Sequence, residues 1–401
     1  MISPAYPAEM PHFTRALARV GARVHGLGDQ PESSLPKGVR AALASYVQVR
    51  SIWNEAAAID LVRRLPGAHK IDRVESMWEP TMMLAARLRA ALGLPGATVE
   101  QTRRFRDKEL MKQALDAAGL RTPRHRRARS VAACWAAAEE LGFPLIFKPI
   151  AGAGSADTYR VESADEVRAV LPRLRHVPEV SVEEFIDGEE YTFDTITIGG
   201  QIAYHNIAWY RPRPLVARSN EWISPQVIAL RHVEQPALAA GARLGRQVID
   251  ALAVDTAFTH MEWYQKKDGE VVFGEIGLRP PGAHQVDQMN HACDIDVYLQ
   301  WARAVTGQGF SATVERKYNV ATIYKRAIGR GRISRIEGMG RLQERYGHHL
   351  RWNTLLPIGT RRRNWRHTLV SDGFLMVRHP ELSATVAMAD DIAENLRIYA
   401  S

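Results

Sequence analysis

Cysteine is almost missing from this chain, which has Cys134 and Cys293 as its two cysteines in 401 residues. Two cysteines are too few for a disulfide framework, so the composition favours a reducing compartment. No apolar run reaches the length of a membrane-spanning helix, and the first residues lack the charged and apolar regions of a signal peptide. These absences predict a cytoplasmic location and no membrane partner.

Two phosphate-binding fingerprints are also missing. No G-x-G-x-x-G follows the first predicted strand, and no G-x-x-x-x-G-K-[ST] occurs in the chain. The first absence argues against a Rossmann dinucleotide site, and the second excludes a P-loop. Internal repeats and low-complexity segments are absent as well, so repeat architectures are not expected.

Basic residues are in excess, which gives a net charge of +9 and raises nucleic acid as a partner. However, the two basic clusters, residues 124–129 and 361–366, hold one large aromatic side chain, Trp365, and match no nucleic-acid-binding motif. We therefore expect no nucleic-acid partner. A positive cleft also suits a small polyanion such as a nucleotide.

The order of predicted elements divides the chain into three parts. Residues 1–97 alternate short strands with helices, which predicts a small doubly wound α/β domain. Residues 98–308 form the central domain, and residues 309–401 are predicted as an α+β cap of short strands with a closing helix. Residues 211–222 are polar and contain prolines, which predicts a long loop that either contacts substrate or lies mobile on the surface.

The residues that most suggest chemistry lie in a predicted β-hairpin, residues 258–279. Two apolar runs meet at Asp268-Gly269, a signal for a two-residue turn, and that turn places Glu262 directly opposite Glu275. The same face is predicted to carry Phe258, His260, Tyr264 and Phe273. Arg279 follows Glu275 by an even number of positions, so it would point to that face if the strand continued.

Two carboxylates opposite each other on a half-buried face repel unless a cation lies between them. Their hard oxygens suit Mg²⁺, which proteins often hold together with substrate phosphates. The hairpin thus predicts a metal and phosphate site. The alternative is a surface hairpin with two solvated glutamates.

Two further segments suit a nucleotide. A predicted strand ending in Lys148 is followed by the glycine-serine stretch 151–156, where an ammonium group and free backbone N–H groups would bind phosphate. Residues 180–194 predict two strands joined by a short turn. The backbone of this segment would form hydrogen bonds with adenine, and the Glu190 carboxylate would accept hydrogen bonds from the ribose hydroxyls. The alternatives are an ordinary turn and an acidic surface hairpin.

Taken in order, these segments resemble the ATP-grasp superfamily of carboxylate–amine ligases, and most of all its amino-acid (dipeptide) ligase and carnosine-synthase-like branch. The resembling segments are residues 106–108 with Met111, 118–119, 147–149 with 154–155, 183–190, 260–262 and 275–282. The resemblance covers about residues 100 to 308. It implies an ATP-grasp fold, in which a two-lobed ATP-binding domain lies between an N-terminal α/β domain and a C-terminal β-rich cap.

The resemblance also implies roles for single residues, with ATP and Mg²⁺ as cofactors and Mn²⁺ as an alternative metal. ATP would be bound by Lys108, Lys148, Gly152, Gly154, Ser155, Glu183, Glu184, Ile186 and Glu190, the lysines and the glycine-serine loop at the phosphates. The metal would be held by Glu262 and Glu275. Arg279 and Lys148 would act in catalysis, Arg279 at the acyl phosphate or the substrate carboxylate.

The chain departs from the family pattern at Gly277. Many members have an asparagine there as a further metal ligand, and glycine offers none. His260 lies opposite Gly277 in the predicted register, so His260 or a water molecule would fill the gap. Whether one or two metal ions bind is therefore open.

The implied activity is ADP-forming ligation of a small-molecule carboxylate to an amine through an acyl phosphate, with an amino acid as substrate and a homodimer as a candidate assembly. One alternative is an ATP-grasp carboxylase or purine-pathway-type ligase. The other is a nucleotide-binding regulatory protein that has lost turnover. The sequence does not identify the two substrates.

Overall fold

The structure is a computed structural model that describes residues 1–152 and 156–401. Its α-helices are α1 (Met10–Arg19), α2 (Lys37–Ala42), α3 (Glu55–Arg64), α4 (Met82–Leu92), α5 (Val99–Arg104), α6 (Lys108–Ala117), α7 (Val131–Leu141), α8 (Ala164–Val170), α9 (Pro214–Ser219), α10 (Pro236–Ala251), α11 (Gln285–Cys293), α12 (Val297–Val305), α13 (Met339–Tyr346) and α14 (Leu382–Asn395). In this part of the chain, no helix combines the length and the apolar character needed to cross a membrane.

The strands are β1 (His25–Gly28), β2 (Ser45–Gln48), β3 (His125–Ala128), β4 (Leu145–Pro149), β5 (Tyr159–Val161), β6 (Val180–Glu184), β7 (Glu189–Ile198), β8 (Gln201–Asn206), β9 (Ala208–Arg211), β10 (Gln226–Ala229), β11 (Ala257–Gln265), β12 (Val271–Gly277), β13 (Asn319–Tyr324), β14 (Ile328–Gly329), β15 (Ile333–Glu337), β16 (Leu350–Asn353), β17 (Phe374–His379) and β18 (Arg397–Ala400). They form four sheets. The segment predicted as a long loop over 211–222 instead contains α9, directly after β9.

The largest sheet has nine strands in the order β12-β11-β7-β9-β10-β13-β17-β16, with β8 also paired to β7. Its pairs are antiparallel. Strands from beyond residue 308, namely β13, β17 and β16, continue the sheet that starts in the central region. The domain boundaries placed at residues 97 and 308 stay predictions.

The first part of the chain contributes a smaller parallel sheet. β1 and β2 run parallel, and Ile2 adds one more parallel bridge, to Leu27. Helices α3 and α4 pack on this sheet through a core that includes Ala58 and Leu84. The βαβ pattern predicted from the sequence is thus present in a short form.

Two hydrophobic cores cover opposite faces of the large sheet. Helices α10 and α14 pack on the face that carries Phe193 and Trp263, whereas α1, α11 and α12 pack on the face that carries Phe258. Side chains alternate along a strand, so Glu262 and Tyr264 lie on the Phe258 face of β11. That face is packed by helices at one end and opens into a cavity at the other.

A four-stranded sheet of order β3-β6-β4-β5 forms the opposite wall of the cavity. Leu145 and Phe147 of β4 are buried against α7 and α8, while Ile146 and Lys148 alternate to the cavity side. The alternation explains how a strand rich in apolar residues delivers a lysine to the site.

The central hairpin keeps the predicted opposition of its two acids, but the predicted two-residue turn is wrong. Glu262 does lie opposite Glu275. Lys266 N–H donates to the Glu270 carbonyl, 2.9 Å away, and Gly269 within the enclosed loop has a φ of 86°. A longer loop ending in a left-handed glycine shifts the register by one residue.

A bulge in β12 removes that shift. The register changes between Glu262 and Trp263, where Gly274 is the extra residue. Glycine is required there, because a Cβ on Gly274 would lie 2.8 Å from the Glu262 carbonyl oxygen. As a result Phe273 pairs with Trp263 and packs in the α10 core, so its predicted place on the carboxylate face is wrong.

The contact between α10 and the sheet leads to a first prediction. A Cβ on Gly241 would lie 2.2 Å from the buried Trp263 ring, and one on Gly245 would lie 2.3 Å from Phe193. Gly241→Ala should therefore destabilise the protein by about 1–3 kcal/mol, since overpacking outweighs the better helix propensity of alanine. Urea unfolding measures the change.

Gly340 provides the matched control. It lies in α13, and a Cβ there would meet no atom within 4 Å. Gly340→Ala should leave stability unchanged or raise it by about 0.5 kcal/mol. Equal effects of the two substitutions would contradict the close helix–sheet contact.

Candidate active site

A cavity of about 570 Å³ lies between the two walls just described. Ten of the ATP, metal and catalytic residues predicted from the sequence line it: Lys108, Lys148, Gly152, Glu183, Glu184, Ile186, Glu190, Glu262, Glu275 and Arg279. Gly154 and Ser155 lie outside the described residues. One cavity thus brings together segments from across the central region.

The two hairpin acids sit at the cavity with about a third of each side chain exposed, 29% for Glu262 and 30% for Glu275. Lys108 Nζ lies 3.1 Å from Glu275 Oε1. Burial alone would raise the pKa of Glu275, but the charges of Lys108 and Lys148 lower it below its ordinary value. Glu275 is therefore ionised at neutral pH.

These acids fit a metal that shares its coordination with a substrate. Within residues 1–152 and 156–401, no group of three or more His, Cys, Asp or Glu side chains gathers to hold a metal alone. Two facing carboxylates, Glu262 and Glu275, supply the oxygen donors that Mg²⁺ takes alongside substrate phosphates and water. The donor set fits Mg²⁺ bound together with a nucleotide.

A buried charge network fixes Lys148. Its Nζ lies 2.8 Å from Glu183 Oε2, while Lys112 Nζ lies 2.7 Å from Glu183 Oε1 and Ser181 Oγ donates to the same oxygen. Burial raises the pKa of Glu183, but the two lysines outweigh burial and bring the pKa below its ordinary value. One carboxylate between two ammonium groups leaves net positive charge at the cavity wall.

Helix α6 carries Lys108 and Lys112. Asp107 caps its N-terminus by accepting from the backbone N–H groups of Glu109 and Leu110, so Lys108 is the first helical residue. Lys108 Nζ also donates to the Gly152 carbonyl, 3.1 Å away. Lys112 follows one helical turn later on the same side of the helix. That spacing is visible in the sequence, although Lys112 was not among the predicted site residues.

Glu190 is buried beside Arg213, which lies in the segment 211–222 that was predicted either to contact substrate or to lie mobile on the surface, and which lines the cavity. Arg213 Nε lies 3.2 Å from Glu190 Oε2, and its Nη1 donates to the Ile186 carbonyl at 2.7 Å. Burial, with the nearby charge of Glu262, raises the pKa of Glu190 to about 8, although Arg213 opposes this. The Arg213 guanidinium also lies over the rings of Phe185 and Tyr264.

Glu184 has partners of its own at the edge of the cavity. Arg121 Nη2 lies 3.2 Å from Glu184 Oε1, and Arg124 Nε lies 3.5 Å from Oε2. Burial raises the pKa of Glu184, and the backbone and side-chain hydrogen bonds from Arg124 and Arg121 bring it below its ordinary value. The predicted contact of Glu184 with adenine stays a prediction.

Arg279 is held by a residue distant in the sequence. Its Nε and Nη2 donate to Glu79 Oε2 at 2.9 Å and 2.7 Å, and Arg106 pairs with the other oxygen of Glu79. Arg279 Nη1 donates to the Pro280 carbonyl. These bonds orient the planar guanidinium within the cavity that holds Glu262 and Glu275.

His260 lies opposite Gly277, as the predicted register required, and it is paired with Asp194. His260 Nδ1 lies 2.6 Å from Asp194 Oδ1, and Nε2 lies 3.6 Å from Glu262 Oε1. Burial would lower the pKa of His260, but Asp194 and Glu262 raise it to about 9. The His260 ring thus lies between Asp194 and Glu262, with Nδ1 held by Asp194.

Comparison with models of known protein families finds no match. Over 257 residues the chain is 24% identical to the L-arginine-specific L-amino acid ligase of Bacillus subtilis, covering 62% of this chain and 55% of that protein. Over 188 residues it is 34% identical to a D-alanine–D-alanine ligase of Ectopseudomonas mendocina, covering 44% and 58% of the two chains. The chain thus spans just over half the length of these curated relatives.

Two solved structures match nearly the whole chain. An L-amino acid ligase from Bacillus licheniformis has a TM-score of 0.79 at 20% identity, covering 98% of this chain and 96% of that chain. A phosphoribosylglycinamide synthetase from Anaerococcus prevotii has a TM-score of 0.71 at 16% identity, covering 98% and 97%. These similarities confirm the predicted ATP-grasp fold, and the curated relatives confirm the predicted resemblance to its ligases.

Proposed function

We propose that this protein is an ATP-dependent, ADP-forming carboxylate–amine ligase that joins small molecules through an acyl phosphate, with an amino acid as a substrate. The observation that carries the proposal is the convergence of Lys108, Lys148, Glu262, Glu275 and Arg279 on one cavity. Cations, a carboxylate pair and a fixed guanidinium are what phosphoryl transfer to a carboxylate needs, because catalysis there rests on positioning and charge neutralisation.

Each residue would have a distinct task. Lys108 and Lys148 would neutralise phosphate oxygens of ATP, and Glu183 would hold Lys148 in place through the 2.8 Å ion pair. The backbone around Ile186 would form hydrogen bonds with adenine, and Glu190 would accept hydrogen bonds from the ribose hydroxyls. Arg279 would grip the reacting carboxyl group and then the acyl phosphate through two parallel hydrogen bonds.

Glu262 and Glu275 would hold Mg²⁺, with Mn²⁺ as a substitute. When bound, the metal neutralises the phosphate charge that develops during transfer. The chain's own part is to keep the two carboxylates facing each other, through the bulge at Gly274, and to keep Glu275 ionised, through the charge of Lys108.

The comparisons support an amino acid as substrate over the alternatives. Both curated relatives described above are named as ligases of amino acids. The amino acid ligase structure also has a TM-score of 0.79, compared with 0.71 for the purine-pathway enzyme. A protein that has lost turnover is disfavoured, because the acids, the lysines and Arg279 are all in place.

A pairwise screen of amino acids with ATP and Mg²⁺ tests the proposal on the purified full chain. Phosphate release should depend on a carboxylate and an amine together, and mass spectrometry should detect the ligated product. Phosphate release that requires bicarbonate and no amino acid would instead support a carboxylase. ATP binding without any turnover across the screen would support a regulatory protein.

Replacement of Arg279 gives a second prediction. Lysine retains the charge but cannot form two parallel hydrogen bonds, so Arg279→Lys should lower turnover by about 10²- to 10³-fold. Its contacts are with Glu79 and Pro280, so the affinity for ATP should stay unchanged. Steady-state kinetics and calorimetric titration measure the two quantities. An Arg279→Lys protein with full turnover would remove Arg279 from the reacting centre.

A further inference from the structure

Two arginines in the cavity wall have no acidic partner in the described chain. Arg218, in α9, and Arg326, just after β13, both line the cavity. The hydrogen bonds that they donate within residues 1–152 and 156–401 go to main-chain carbonyl groups, from Arg218 to Arg366 and from Arg326 to Ala217 and Asn220. By contrast, the cavity arginines Arg213 and Arg279 are both paired with glutamates.

Neither arginine of this pair forms a direct ion pair, although the charges of Glu221 and Asp372 act on Arg326 from nearby. Arg326 Nε is buried without a hydrogen-bond partner among the described residues, and its guanidinium lies 4.6 Å from the centre of the Trp365 ring. Burial and the nearby charge of Arg218 lower the pKa of Arg326 to about 10. Burial also lowers the pKa of Arg218. Arg326 donates to carbonyls on either side of Arg218 in the chain, so two half-buried cations lie near each other at a cost that an anion would relieve.

The nearest acids are already used. Glu221 pairs with Arg362, whose Nη2 lies 2.8 Å from Glu221 Oε1. Asp372 accepts from the backbone N–H groups of Ala327 and Arg363 at 2.8 Å and 2.6 Å. Neither carboxylate is within ion-pair distance of the two cavity arginines in the described structure. These two acids therefore leave both guanidinium groups without a direct ion-pair partner in the described structure.

The position of the pair links it to the reacting centre. Arg326 lies two residues after Tyr324. The Tyr324 hydroxyl donates to the Ala283 carbonyl at 2.6 Å, and Ala283 belongs to the segment that continues from Arg279. The bond from Arg218 to Arg366 ties α9 to residues 365–370, several of which also line the cavity. A molecule placed at Arg279 thus shares one cavity with the two unpaired guanidinium groups.

We propose that Arg218 and Arg326 form a carboxylate subsite that selects, as the amine substrate, an amino acid with a free carboxylate. This inference rests on the proposed ligase function. An amino acid that supplies its amine retains its own carboxylate next to the new amide bond. That charge needs a partner when it leaves water, and guanidinium groups match carboxylate geometry.

The test compares an acceptor amino acid found in the screen with its carboxamide, which lacks the charge. Wild type should have a lower KM for the acid than for the amide. Arg326→Gln and, separately, Arg218→Gln should raise the KM for the acid about 10- to 100-fold and leave that for the amide unchanged, since a hydrogen bond to a charged group is lost. Arg326→Lys should recover part of the affinity.

Hydroxylamine capture separates this inference from the proposed function. With ATP and the carboxylate substrate alone, hydroxylamine traps an acyl phosphate as a hydroxamate without the amine substrate. No hydroxamate from wild type would refute the proposed function itself. Normal hydroxamate formation by the Gln variants, with loss of the preference for the acid, supports the subsite. If the Gln variants had a raised KM for the carboxylate substrate in hydroxamate formation, the two arginines would bind that substrate and not the amine substrate. That result would overturn the inference.

Arg366 is the matched control. It is exposed, lies 5.3 Å from the centre of the same Trp365 ring and is not part of the cavity wall. Arg366→Gln keeps the main-chain carbonyl that Arg218 uses and should leave both KM values unchanged. Thermal unfolding shows whether each variant is folded. Equal rises of KM for acid and amide in a folded Arg326→Gln protein would assign Arg326 a purely structural role.

Discussion

Glu275→Gln should reduce ligase turnover by at least about 10³-fold, because the amide cannot supply the charge of the carboxylate pair that we propose binds the metal. Glutamine has nearly the same shape, so the hairpin should fold as before. In the structure Glu275 pairs with Lys108 and faces Glu262, and its lowered pKa keeps it ionised. ADP formation in the presence of both substrates measures the loss.

The control lies in the same hairpin. Glu270 is part of the loop, pairs with Lys266 and Arg121, and is not in the cavity wall. Glu270→Gln should retain turnover close to that of wild type. If Glu275→Gln were as active as Glu270→Gln, with both proteins folded, the proposed metal position would be wrong.

Lys148→Ala should weaken ATP binding by about 10- to 100-fold, since the proposed hydrogen bond between its ammonium group and a phosphate of ATP is lost. Glu183, which Lys148 contacts at 2.8 Å, keeps Lys112 as a second partner, so its carboxylate does not become an isolated buried charge. The fold should therefore survive. Calorimetric titration with ATP gives the dissociation constant directly.

Lys267 supplies the matched control for Lys148. It is exposed in the hairpin loop and lies outside the cavity wall. Lys267→Ala removes the same charge from the protein and should leave ATP affinity unchanged. Unchanged affinity in Lys148→Ala would exclude Lys148 from the phosphate site, and an equal loss in both variants would point to a general charge effect.

The opposition of Glu262 and Glu275 was predicted from strand alternation and from a two-residue turn, both of which are local patterns in the sequence. The prediction held although the turn was wrong, because the longer loop and the bulge at Gly274 cancel each other. Phe273 lies between those two irregularities, and for that reason its predicted face was wrong. Loop type and bulge position depend on close backbone contacts that alternation alone does not reveal.

The residues that hold the site in place were not predictable in the same way. Glu79 reaches Arg279 from the first part of the chain, and Asp194 reaches His260 from a neighbouring strand. Arg213 pairs with Glu190 from a segment that the sequence favoured as a loop. These pairs are set by tertiary packing between distant segments, and no local spacing marks them.

The central claim is that the cavity activates a carboxylate as an acyl phosphate before an amine attacks it. The direct measurement is isotope transfer from a substrate whose carboxylate carries ¹⁸O, with the wild-type protein, ATP and the amine. An acyl phosphate route transfers one carboxylate oxygen to the released phosphate, so mass spectrometry should find phosphate with one ¹⁸O atom for each amide bond formed. Amide formation with unlabelled phosphate would contradict the account.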